Sequence, residues 1–159
     1  MKRRVLPIIT AGLCIAGVAG FQGNSAAQSE KGDAGPEPVL DHAMLMEHIL
    51  TPAAFQVWES VGYVMDESGA HMNAPETEEA WEDVADGAAV IAESRNLLLI
   101  SGRAVDRIWV KYSVALSEAG LAAFEAAEAR DPEAIFKAGS RMTEACQGCQ
   151  DQYGIGSLE

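Results

Sequence analysis

Two thiols stand three residues apart near the end of this chain, in the run Cys146-Gln147-Gly148-Cys149-Gln150. Such a pair can form thioethers with the vinyl groups of a haem, a mutual disulfide, or bonds to a metal. In a C-x-x-C-H attachment site the adjoining His is the proximal iron ligand; here Gln150 holds that position. A carboxamide is a poor ligand for haem iron beside an imidazole. Residues i and i+3 of a helix lie within the Cα separation that a disulfide spans, although mid-helix geometry strains the bond. A thioredoxin-like role needs the pair at a helix N-terminus after a strand, where the thiol pKa falls. Cys146 and Cys149 instead lie deep in a helical pattern with no strand before them, which argues against thiol-disulfide enzymology. Zinc calls for four ligands and only two thiols cluster, so no metal site is expected.

The remaining reactive residue types are dispersed. Glu76, Glu78, Glu79, Glu82 and Asp83 fall on a helix start and an outer face, where capping and solvation account for them. Glu47 and His48 are adjacent rather than spaced as the Glu-x-x-His pair of a di-iron bundle. No nucleophile-base constellation and no phosphate loop occurs, so an enzyme is not expected. His42, His48 and His71 are all remote from the thiol pair in sequence.

The chain has 159 residues, and its first 27 have the form of a secretory signal. Lys2, Arg3 and Arg4 form a basic start, Val5 to Gly20 is apolar, and Ser25-Ala26-Ala27 is a small-residue cleavage site. The expected product is a periplasmic protein beginning near Gln28, with no membrane anchor once the signal is removed. Cys14 leaves with the signal, so only Cys146 and Cys149 remain in an oxidising compartment. The signal takes three basic residues and no acid, which leaves eight Lys and Arg against 24 Asp and Glu, a net charge of −16. That balance disfavours nucleic acid and anionic lipid as partners. About 130 remaining residues suffice for one domain with a hydrophobic core.

The elements that must position the thiols read as helices. Residues 28–38 form a polar lead-in rich in Gly and Pro, expected to be disordered, and the folded domain spans 39–155. The first helical region is expected from Leu40 to Glu67, with Phe55, Trp58, Val61 and Met65 at three-four spacing and an interruption at Thr51-Pro52. Gly69 to Pro75 reads as a loop. A second helix begins at the N-cap Thr77 and buries Trp81, Val84, Ala88, Ile91 and Leu98. Ser101 to Ser117 reads as a connection with some helix in it, carrying Trp109 and Tyr112, followed by a short helix capped by Ser117 with Leu121 and Phe124 inward. The last helix opens on Asp131-Pro132-Glu133 and stops at Gly154. Along it Ile135, Gly139, Met142, Cys146, Cys149 and Tyr153 step by three and four, so both sulfurs face inward. The expected fold is all-α, an antiparallel four-helix bundle.

An exported acidic bundle with C-x-x-C in its last helix and Tyr153 four residues on resembles the cytochrome c′ family and its low-spin relatives. Pro52-Ala53-Ala54, Val57-Trp58, Ala74-Pro75 before Thr77, Trp81, Asn96-Leu97 and Ala145-Cys146 follow in the order of that family. The resemblance runs from Leu40 to Gly154. It implies haem c inside the bundle, held by Cys146 and Cys149, with electron transfer through a redox partner protein or binding of a small gas. It also implies that Met44 or Met46 can stand on the distal side of the iron, and it allows a homodimer. Gln150 is the departure from the pattern. The alternative is a haem-less binding or structural bundle with a Cys146–Cys149 disulfide.

Overall fold

A computed structural model describes residues 35–154. The segment expected as a signal, its expected cleavage site and Cys14 lie outside the described residues, as does most of the lead-in. The fold is mostly helical, with one small two-stranded sheet. Among the described residues no helix is long and apolar enough to cross a membrane.

The N-terminal helical region is segmented. Asp41 caps α1 (His42–Leu45) by accepting from the Met44 amide at 2.8 Å. The chain then widens into a π-helical turn, Met46–Leu50, before α2 (Thr51–Trp58). The amide of Thr51 reaches back five residues to the Met46 carbonyl. Pro52 beside it has no amide to donate, so the widened turn sits where the regular ladder would lose a rung.

The expected helix does not continue to Glu67. After Val61 the chain forms a hairpin, β1 (Gly62–Asp66) against β2 (Gly69–Asn73), antiparallel with Gly62 opposite Asn73 and Asp66 opposite Gly69. The Asp66 carboxylate accepts from both the amide and the hydroxyl of Ser68, and Gly69 takes φ 111° to close the turn. Only glycine adopts that conformation without strain. Met65, expected on a buried helical stripe, is therefore 83% exposed on a strand. The segment expected as a loop after Gly69 is largely the second strand.

Thr77 caps α3 (Glu78–Leu98) by accepting from the Ala80 amide, with Glu78 and Glu79 in the first turn. Trp81, Val84, Ala88, Ile91 and Leu98 are buried along it as the periodicity predicts. The next element differs from expectation. Asp106 accepts from the amides of Ile108 and Trp109 and starts α4 (Arg107–Glu128), one continuous helix through the expected connection. Ser117 does not cap a helix; its hydroxyl donates to the Ala92 carbonyl on α3 at 2.6 Å. Leu121 is half exposed rather than inward. The last helix, α5 (Pro132–Tyr153), starts at the Asp131 cap and ends at Gly154 in the left-handed conformation, as the sequence leads one to expect.

The helices α3 and α4 pack along each other, as do α4 and α5, and α2 rests on α3 and α5. Gly120 permits the closest approach: a Cβ there would stand 2.4 Å from the Ala92 amide nitrogen. Trp109 is fully buried and donates its indole N–H to the Leu98 carbonyl at 2.8 Å.

Candidate functional site

Helix α5 owes its position to contacts on both sides of the thiol pair. Before the thiol pair, the backbone of Gly139 lies under Trp58, whose indole N–H donates to the Gly139 carbonyl at 3.0 Å. The Thr143 hydroxyl donates to the same carbonyl at 3.1 Å. What approaches Gly139 is therefore an indole from α2. Between the thiols, Gly148 lies under the ring of Tyr112 from α4, so close that a Cβ would come within 2.6 Å of it. At the helix end the Tyr153 hydroxyl donates to the Asp106 carboxylate at 2.6 Å.

So held, α5 turns Cys146 and Cys149 toward a cavity of about 580 Å³, a volume typical of small-molecule sites. Every major helical segment contributes to its wall. Ala43, Met46 and Glu47 come from α1 and the π turn, and Ala54 and Trp58 from α2. Ile91 and Leu98 of α3 and Tyr112 and Leu116 of α4 close the deep side. Gln147, Gln150 and Asp151 complete the α5 edge. The wall is mostly apolar, and no Lys, Arg or His belongs to it.

Both cysteines are half-buried free thiols here. Burial, with the neighbouring Cys149 adding to it, pushes the Cys146 thiol up to about 11. Burial also raises Cys149. Thiols so shifted stay protonated near neutrality and are poor nucleophiles, the opposite of a thioredoxin-type pair.

The two methionines singled out by resemblance separate. Met46, the first residue of the π turn, lines the cavity. Met44 does not belong to the wall and is 45% exposed. None of the histidines lines the cavity. His42 stands edge-on to Trp109 with ring centroids 4.9 Å apart and its Nε2 3.2 Å from the Arg103 carbonyl. His48 is exposed, and His71 lies on β2 with Nε2 3.8 Å from Asp66. Among the described residues no group of three or more His, Cys, Asp and Glu gathers as a metal site would.

For a haem, the two thiols and the apolar wall suit the macrocycle, but the donors available to its iron do not fit. Gln150 lines the cavity where the imidazole would be, and every histidine of the chain is placed elsewhere. Sequence reasoning missed Tyr112, Glu47 and Trp58 as cavity residues. For Tyr112 a signal existed: Asp106 three residues before Trp109 marks a helix start and puts Tyr112 one turn on. Comparison of the chain with protein-family models, with curated proteins and with solved structures finds no match.

Proposed function

We propose that this chain is an exported, cytochrome c′-like antiparallel four-helix bundle that binds a small ligand in its interior without haem iron. Cys146 and Cys149 are the ligand-holding groups, and the activity is binding rather than catalysis. The observation that carries this reading is the composition of one cavity wall. Two thiols and a thioether open on it, while the position of the iron ligand is a carboxamide and no imidazole reaches it. A scaffold that keeps the anchors and the space, and has lost the group that grips iron, favours another occupant.

The resemblance supports a second reading, in which haem c is attached through the same thiols and serves electron transfer or gas binding. The inward direction of both sulfurs favours it, and one experiment separates the two. The chain is made in a host able to attach haem c, and the product is examined by intact mass and visible absorption. The expected result is a colourless protein with no haem mass. Gln150→His should then gain haem, because it restores the residue that the attachment machinery and the iron both use. A red wild-type protein carrying the haem mass overturns the haem-less reading.

A further inference from the structure

Three sulfur-bearing residues line one cavity. Cys146 and Cys149 come from successive turns of α5, and Met46 comes from the π turn. Positions i and i+3 of a helix hold their Cβ atoms roughly 5–6 Å apart, close enough for two sulfurs to share one ion. Thiolate and thioether are soft donors, which select monovalent copper over harder cations. Zinc is disfavoured because it closes a tetrahedron of four ligands, and no further His or Cys lines this wall. Monovalent copper is satisfied by fewer sulfurs. The surroundings suit a cation as well. Glu47 and Asp151 stand on the same wall, no basic side chain does, and the full chain carries a net charge of −13.

We propose that Cys146 and Cys149, with Met46 as a third sulfur, bind one Cu(I) ion in this cavity. The site rests on the haem-less reading, since a thioether-bound haem would consume both thiols. Binding involves no redox step: each thiol releases its proton to solvent as its sulfur bonds to copper. The copper remains monovalent, and the dithiolate complex carries one net negative charge.

The test uses the exported chain, reduced and kept under nitrogen, titrated against the Cu(I) complex of bathocuproine disulfonate. The wild-type protein should take one copper from the dye and gain one copper in its native mass spectrum. Cys146→Ser with Cys149→Ser should lower the affinity roughly 100-fold or more, and Met46→Leu roughly tenfold. Circular dichroism establishes that each variant retains its helices. Should the double serine variant collapse, each single serine variant carries the same expectation of lost affinity. Copper taken up equally by folded wild-type and folded cysteine variants overturns the site. Haem-free wild-type protein that leaves copper on the dye overturns the copper site alone. Haem mass on the wild-type protein overturns the haem-less reading and this site with it.

Discussion

At the scale of single residues, the reactivity of Cys146 follows from where its sulfur lies. Burial and the proximity of Cys149 hold its pKa near 11, so at pH 8 it is about one part in a thousand thiolate. An ordinary thiol with a pKa of about 8.5 is roughly one quarter thiolate at that pH. The higher pKa makes the remaining thiolate a better nucleophile by about a factor of ten, which recovers part of the difference. Iodoacetamide at pH 8 should therefore alkylate Cys146 in the folded protein roughly 20-fold more slowly than in the unfolded chain. The rate should keep rising with pH up to about 11. Mass spectrometry of timed samples with and without urea reads both. Equal rates in the folded and unfolded protein would show that the sulfur faces water rather than the cavity.

At the scale of elements, the helices meet at glycines, and the atoms facing each glycine decide what a methyl group would cost. A Cβ at Gly120 would stand 2.4 Å from the Ala92 nitrogen and 2.7 Å from the Ile91 carbonyl carbon. Both belong to backbone, so α3 and α4 would have to part. Gly120→Ala should cost about 3 kcal/mol through overpacking. At Gly139 the nearest atom is Cδ1 of Trp58 at 3.2 Å, in a side chain that can shift. There the gain of about 1 kcal/mol in helix propensity offsets the crowding, and Gly139→Ala should remain within about 1 kcal/mol of wild type. Urea unfolding midpoints compare the two, and equal losses would contradict this account. These contacts also mark how far the sequence could be read. Thr77, Asp131-Pro132 and Gly154 were legible because a cap acts within one turn of its own residue. The inward direction of Cys146 and Cys149 was legible because helical periodicity sets it. The hairpin was not: Val61 and Met65 prolong the three-four spacing of α2, and the turn between the strands has none of the Asn-Gly pattern of a tight hairpin. Helix α4 was misread because Ser117 resembles an N-cap, whereas in the fold its hydroxyl is satisfied by the carbonyl of Ala92 on α3. The indole over Gly139 and the phenol over Gly148 join residues far apart in the chain, and no local pattern announces them.

At the scale of the molecule, one end of the helical body is tied together by a connected set of polar and aromatic contacts. The buried Arg103 donates to the carbonyl of Leu40 at 2.8 Å and to that of Asp41 at 3.4 Å, which fixes the chain entering α1. Trp109 of α4 stands between His42 of α1 and Tyr153 of α5, with ring centroids 4.9 and 5.2 Å away. The Asp106 carboxylate both caps α4 and accepts the Tyr153 hydroxyl, so the start of α4 and the end of α5 share one anion. The bond with Tyr153, then the amide of Trp109, lowers the pKa of Asp106. Burial, then the bond to Asp106, pushes Tyr153 up to about 12. A phenol whose pKa is raised on folding stabilises the fold fully below its ordinary value of about 10, and this contribution disappears as pH rises through about 12. The carboxylate works in the other direction: its contribution is present above the ordinary carboxyl value and disappears as pH falls through the lowered one. Tyr153→Phe should therefore melt below wild type at pH 8, and the gap should close between about pH 10 and 12. The comparison is made as a difference because Tyr63, also raised by its bond to Glu133, titrates alike in both proteins. Thermal unfolding followed by circular dichroism across that range gives the gap directly. A gap that stays constant to pH 12 would mean that the phenol stabilises by packing on Trp109 alone, and that the two helix ends are not joined through the Asp106 carboxylate.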